Sequence, residues 1–177
     1  MITNQSSGGI NAAPAHKLFF ALWPDPATRS ALAALQSQLA GRATPPDKLH
    51  LTLAFLGQQA ATALPPLLDI LHALPVPPLR LEIDYFGYFS KPRIAWAGMS
   101  AVPPALLALQ DDLMRRLEAA GFSAATHGEF RPHVTLMREA KTAPPAAAAC
   151  APIGWEVREI ALVESLPSGL YRPVASR

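Results

Sequence analysis

Apolar runs of strand length and apolar stretches with helical spacing alternate along the chain, and their order occurs twice. Each time the pattern predicts a strand, a helix and a second strand. These elements cover residues 18–23, 27–39 and 49–56 in the first half, and residues 93–99, 104–120 and 130–137 in the second. Residues 31–39 also match residues 105–113 nearly position by position. The chain is therefore predicted to contain two copies of one structural unit.

The remaining pattern predicts further elements and the fold class. In the first half, a helix is predicted over 66–74 and a half-buried strand over 79–83, with an extension over 85–89. In the second half, a linker is predicted over 142–152 and a strand over 155–163. A C-terminal tail follows and contains Ser165, Tyr171 and Arg172. The connections around residues 80–93 are too short for parallel crossovers. We therefore expect an α+β fold of two pseudo-symmetric lobes, each an antiparallel sheet backed by helices, which face each other across a groove.

The last predicted strand of each copy carries the same tetrapeptide, His50-Leu51-Thr52-Leu53 in the first and His133-Val134-Thr135-Leu136 in the second. Side chains alternate between the two faces of a strand, so the histidine and the threonine of each motif share one face. The apolar residues between them fill the other face. Two imidazoles and two hydroxyls that converge on a groove would form a polar cage for a small anion.

Paired imidazoles are suited to acid–base chemistry, because the ordinary histidine pKa of about 6.5 allows one ring to accept a proton and the other to donate one. Hydrolysis of a phosphodiester needs such a pair and hydrogen-bond donors for the phosphate oxygens, which Thr52 and Thr135 would supply. The symmetry of the motifs does not decide which histidine is the acid. A metal site is disfavoured, since two histidines without cysteine or paired carboxylates are a poor ligand set. The other histidines are interpreted as structural or merely exposed; they are His16, His72 and His127.

Other side chains near the second motif and in the tail are weaker candidates. Arg138 directly follows the motif, and Arg131 lies two residues before His133, so both could bring charge to the phosphate. Three aromatic residues could stack on a base, namely Phe130, Trp155 and Tyr171. Core packing is the better interpretation for Phe130 and Trp155, which leaves Tyr171 as a candidate substrate contact.

Composition limits the class of protein. The chain has 177 residues and a formal net charge of +2, which is far from the basic excess of proteins that wrap a long duplex. No apolar run reaches the roughly 18 residues of a membrane span, and the single cysteine, Cys150, excludes an intrachain disulfide. Residues 1–15 lack the charge and the apolar stretch of a secretory signal. We expect a loose tail over 1–15, one bilobal domain over 16–177, a cytoplasmic location and a monomer.

Four segments closely resemble the bacterial RNA 2′,3′-cyclic phosphodiesterases, also called 2′-5′ RNA ligases, of the two-histidine phosphoesterase superfamily. They are Lys17–Leu22, Asp47–Gly57, Trp96–Met99 and Phe130–Arg138. The resemblance implies a bilobal α+β fold and a hydrolase that needs no metal or other cofactor. It also implies that the enzyme opens a terminal 2′,3′-cyclic phosphate of RNA or of a nucleotide to leave a 2′-phosphate. Some similar proteins reversibly join RNA ends through a 2′-5′ linkage.

The resemblance also implies individual roles. His50 corresponds to the proton donor to the departing 3′ oxygen and His133 to the base that activates water, while Thr52, Thr135 and Arg138 correspond to phosphate-binding residues. The chain departs from the pattern before the second motif, where Gly128-Glu129 replaces the common Arg-Pro and places an anion near the groove. Two alternatives remain: a phosphodiesterase for small cyclic nucleotides or 2′-5′ oligoadenylates, and a non-catalytic nucleotide- or RNA-binding module.

Overall fold

The computed structural model describes residues 15–76, 78–125, 128–144 and 149–177. Three α-helices and nine strands are found there. The helices are α1 Pro26–Leu35, α2 Leu64–Ala73 and α3 Pro104–Ala119. The strands are β1 Ala15–Leu22, β2 Arg42–Ala43, β3 Leu51–Ala60, β4 Leu79–Phe89, β5 Ile94–Gly98, β6 His133–Arg138, β7 Ala149–Val157, β8 Ile160–Ser165 and β9 Tyr171–Ser176. The protein is α+β, as predicted.

The two lobes are related by their strand order. One lobe has the order β3-β1-β8-β9 and the other β6-β5-β4-β7, with the short β2 added to β6. Within both lobes, neighbouring strands are antiparallel. The lobes meet where β3 and β6 pair at Leu51 and Val134, both fully buried. The two repeated units, β1-α1-β3 and β5-α3-β6, therefore bring their final strands together at the centre.

The helices cover one face of the sheet and exchange lobes. Helix α1, from the first repeat, packs against β6 and β7, whereas α3, from the second repeat, packs against β3. Leucines with helical spacing are buried in both helices, among them Leu32 in α1 and Leu109 in α3. Burial of this apolar surface locks each lobe to the helix of the other repeat. The opposite face of the sheet is left for the motif side chains.

Local sequence signals set the helix ends. The Asp25 carboxylate accepts hydrogen bonds from the backbone N–H groups of Ala27 and Thr28, and Pro26 occupies the first turn of α1. Gly121, with φ of +81°, follows α3 as the pattern predicts. Its N–H donates to Glu118 and that of Phe122 donates to Leu117, which is the Schellman arrangement.

Several predicted boundaries are wrong. The single strand over 155–163 is two strands, β7 and β8, which lie in different lobes; the charged pair Arg158–Glu159 marks the crossover. The C-terminal tail from Tyr171 onward is a strand, β9, which pairs with β8. The motif strand of the second half begins at His133 because Pro132 has no N–H to donate to a ladder.

The remaining differences are smaller. Helix α1 ends at Leu35 and continues as a 3₁₀ turn over Gln36–Gln38, short of the predicted residue 39. Ala15, expected in the loose tail, begins β1, while the rest of that tail lies outside the described residues. The predicted linker over 142–152 overlaps β7 from Ala149 onward. Residues 145–148 of that linker also lie outside the described residues.

Candidate active site

Both H-x-T-L motifs lie at the junction between the lobes. The antiparallel pairing of Leu51 with Val134 sets His50 opposite Thr135 and Thr52 opposite His133. Leu51 and Val134 point into the core, so the four polar side chains point to the opposite, helix-free face. All four are partly buried. The structure therefore brings the two motifs together as the sequence predicts.

Each imidazole is held by the backbone two residues before it. The Nδ1–H of His50 donates to the carbonyl oxygen of Lys48 at 2.6 Å, and that of His133 donates to the carbonyl oxygen of Arg131 at 2.7 Å. A carbonyl oxygen only accepts, so Nδ1 carries the hydrogen in both rings. The Nε2 atom of each neutral ring is then the basic nitrogen. In His50 this atom lies 3.0 Å from the Oγ1 of Thr52.

Aromatic rings surround His50. Trp23 is stacked on the imidazole at a centroid distance of 5.7 Å, and Phe19 lies tilted at 5.0 Å. Tyr171 contacts the imidazole edge-on at 5.5 Å. This apolar environment disfavours the charged imidazolium. Burial lowers the pKa of His50 to about 4, and the charge of Arg138 and that of His133 in its protonated form act in the same direction.

His133 contacts two aromatic residues of its own lobe. Phe89 contacts it edge-on at 5.1 Å, and Trp96 lies tilted at 5.6 Å. Burial here also lowers the histidine pKa, and the charge of Arg138 acts in the same direction. The carbonyl of Arg131 opposes this shift because it accepts the Nδ1 hydrogen. Both rings are thus neutral at pH 7 in the free protein.

A pocket beside His50 gathers several of the predicted residues. Thr135, Arg138 and Tyr171 line it together with His50. Lys48 and Arg42, which the sequence analysis did not single out, line it as well. The sequence does not indicate Arg42, because this residue lies far from the second motif along the chain. It reaches the motif only because β2 pairs with β6, which sets Arg42 beside Arg138.

The structure places the weaker candidates as follows. Arg131 is exposed, lies outside the lining of this pocket and contacts His133 through its backbone. Trp155 is fully buried and Phe130 packs against the main core, so the core interpretation of both is confirmed. Glu129 is exposed.

Two of the remaining histidines, His16 and His72, lie in the described part of the chain and outside the motifs. His16 is bonded to Glu164, which also binds Arg172. His72 is exposed on α2. His127 lies outside the described residues.

Within residues 15–76, 78–125, 128–144 and 149–177, no three histidine, cysteine or carboxylate side chains cluster closely enough to hold a metal ion. No helix in those same ranges is long and apolar enough to span a membrane. Cys150 is a buried free thiol, and burial raises its pKa.

Comparison with known proteins identifies the family. Residues 23–168, which include both motifs, match the sequence model of the 2′-5′ RNA ligase superfamily. The chain belongs to this superfamily. It is 31% identical to the RNA 2′,3′-cyclic phosphodiesterase of Thermus thermophilus over 84% of this chain and 81% of that protein. It is 36% identical to the Escherichia coli enzyme of the same name, over 59% of this chain and 58% of that protein.

Solved structures of other proteins have the same fold. Escherichia coli LigT in its apo form superposes with a TM-score of 0.81 at 27% identity, over 93% of this chain and 98% of that one. A LigT structure complexed with 3′-AMP superposes with a TM-score of 0.78 at 28% identity, with the same coverage. The fold is therefore shared with LigT over nearly the whole length of both chains.

Proposed function

We propose that this protein hydrolyses the terminal 2′,3′-cyclic phosphate of RNA to a 2′-phosphomonoester, with the two motif histidines as acid and base. The observation that carries the proposal is the convergence of both H-x-T-L motifs on one face of the β3–β6 junction. Relatives that carry the name RNA 2′,3′-cyclic phosphodiesterase support the substrate class. The acid, the base and the phosphate donors are all supplied by side chains, so the reaction needs no metal or other cofactor.

His133 is the base in this mechanism. Its Nδ1–H is held by the Arg131 carbonyl, so its Nε2 lone pair is free to take a proton from a water molecule. The water oxygen forms a bond to phosphorus in line with the bond from phosphorus to O3′, which breaks. A lowered pKa keeps His133 neutral at pH 7, which is the form that a base requires.

His50 is the acid, and its Nε2–H donates a proton to the departing O3′. Its pKa of about 4 makes the free protein a poor donor at pH 7. A bound phosphodiester anion next to the ring favours the imidazolium and raises this pKa. The bound substrate therefore favours the protonated form of His50. The ring then exchanges its contact with Thr52 for a hydrogen bond to the departing O3′.

The phosphate oxygens are held by Thr52, Thr135 and Arg138. Each threonine hydroxyl lies opposite the imidazole of the other motif. The exposed guanidinium of Arg138 follows the second motif at the end of β6. Charge-assisted hydrogen bonds of this kind are short and strong and stabilise the charge that develops on the equatorial oxygens. A ribose 5′-hydroxyl in place of water would form a 2′-5′ linkage with the same leaving oxygen. Localisation in the cytoplasm and a monomeric state are part of the proposal.

The test is incubation of the purified chain with adenosine 2′,3′-cyclic phosphate in EDTA, with the product assigned by ³¹P NMR. Wild type is expected to form 2′-AMP, and the His50→Asn and His133→Asn variants are expected to lose most of this activity. His72→Asn, in an exposed histidine of α2, is the matched control and should behave as wild type. Turnover that requires added Zn²⁺ or Mn²⁺ would refute the mechanism. Binding without turnover would favour a non-catalytic module.

A further inference from the structure

The pocket beside His50 holds more positive charge than one cyclic phosphodiester requires. Its cationic side chains are Arg42, Lys48 and Arg138. Arg42 is bonded to Glu139 at 2.9 Å, in a pair of which both side chains are more than half exposed. In the part of the chain that the structure describes, Lys48 and Arg138 have no carboxylate partner. Because Arg138 is assigned to the reacting phosphate, the proposed reaction gives no role to the positive charge of Lys48.

Tyr171 fixes the position of the Lys48 ammonium group. The Nζ atom lies 5.4 Å from the centre of the Tyr171 ring, and that ring contacts His50 edge-on. A cation over an aromatic face is attracted by the ring, and here the contact keeps Lys48 on the His50 side of the site. A second anion in this pocket would thus meet the ammonium group of Lys48.

The proposed reaction determines which part of the substrate lies there. Water on the His133 side must attack opposite O3′, so the ribose that carries O3′ lies on the His50 side. The 5′ carbon of that ribose, with whatever it bears, extends from the same side. We propose that Lys48, with Arg42, binds the 5′-phosphate of the nucleotide whose 2′,3′-cyclic phosphate is opened.

This inference rests on the proposed function, and it names the substrate more closely. In an RNA chain the 5′-phosphate of the terminal nucleotide is the internucleotide phosphate. A cyclic-phosphate end of RNA presents it, whereas a nucleoside 2′,3′-cyclic phosphate does not. The pocket would therefore select RNA ends, and nucleotides phosphorylated at the 5′ position, over simple nucleoside cyclic phosphates. Salt should weaken this preference because the contacting groups are partly exposed.

The test compares two substrates that differ only in this group: adenosine 2′,3′-cyclic phosphate and the same molecule with a 5′-phosphate. The measured quantity is the ratio of their kcat/KM values. Wild type should prefer the 5′-phosphorylated substrate, and Lys48→Met should reduce the ratio by about fivefold, as expected for one partly exposed ion pair. Lys48→Arg should keep most of the preference. Arg115→Met is the charge-matched control, since it removes an exposed cation from α3, and it should leave the ratio unchanged.

An unchanged ratio in Lys48→Met would overturn the inference. An equal loss on both substrates would also overturn it, because Lys48 would then act on the reacting phosphate or on His50. Calorimetry in a His133→Ala background separates this inference from the proposed function, since it compares binding of the two molecules without turnover. A Lys48-dependent preference in binding would support the pocket even if neither molecule were hydrolysed by wild type, and its absence would refute it.

Discussion

The buried position of His50 should make the stability of the protein depend on pH between 6.5 and 4. In the folded protein the pKa of His50 is lowered to about 4 by burial, whereas an unfolded chain has the ordinary value of about 6.5. Folding therefore favours the neutral ring. The contribution is fully present above pH 6.5 and is lost as the pH falls toward 4, because the unfolded state takes up the proton first.

The size of the effect follows from this difference in pKa. At pH 4.5 nearly all of the unfolded chains carry a proton on this residue, but only a minority of the folded chains do. The free energy of unfolding is therefore about 2.5 kcal/mol lower at pH 4.5 than at pH 7.5. His50→Asn removes the titrating group but keeps a polar side chain. The variant should therefore lose about 2.5 kcal/mol less than wild type over the same pH change.

Urea unfolding followed by tryptophan fluorescence at pH 7.5 and pH 4.5 measures both losses, with equal m-values as the check on the two-state assumption. His72→Asn is the control, because His72 is exposed on α2, and it should follow wild type. If wild type and His50→Asn lost the same free energy of unfolding, His50 would not be a desolvated neutral imidazole. The electrostatic part of the account would then be wrong.

Three further predictions concern the reaction itself. His50→Ala and His133→Ala should each reduce kcat by roughly 10²–10⁴, the usual contribution of a positioned acid or base, and near-full activity in either variant would contradict the paired mechanism. The pH profile of kcat/KM should be bell-shaped with its maximum below about 6.5, since both pKa values are lowered in the free protein and one imidazole must be protonated. The profile of kcat should lie at higher pH because the bound anion raises both pKa values; coincident profiles would contradict this. Thr52→Val and Thr135→Val should each reduce kcat/KM about tenfold or more through loss of a donor to a charged oxygen, and unchanged values would remove these threonines from the phosphate site.

The centre of the site could be predicted from the sequence because its signal is local and occurs twice. Alternation along a strand places His50 and Thr52 on one face whatever the rest of the fold, and the same holds for the second motif. The repeated order of elements then brings the two motif strands to equivalent positions. The pairing of Leu51 with Val134 confirms that the two motif strands lie side by side.

The surroundings of the site could not be predicted in this way because they depend on distant pairing. Arg42 reaches the pocket through a two-residue strand that pairs with β6, and a strand so short has no hydrophobic pattern. Tyr171 reaches His50 only because the C-terminal segment forms β9 beside β8. The break between β7 and β8 at Arg158–Glu159 could not be predicted because apolar residues lie on both sides of it.

The central claim is that water attacks the cyclic phosphate under the control of His133 while His50 protonates O3′. The most direct measurement is a single turnover of an RNA oligonucleotide with a 2′,3′-cyclic phosphate end in ¹⁸O-labelled water and EDTA, with the product analysed by mass spectrometry and ³¹P NMR. We expect a terminal 2′-phosphate that carries one ¹⁸O atom. A 3′-phosphate product, or no product in the absence of a divalent metal, would contradict it.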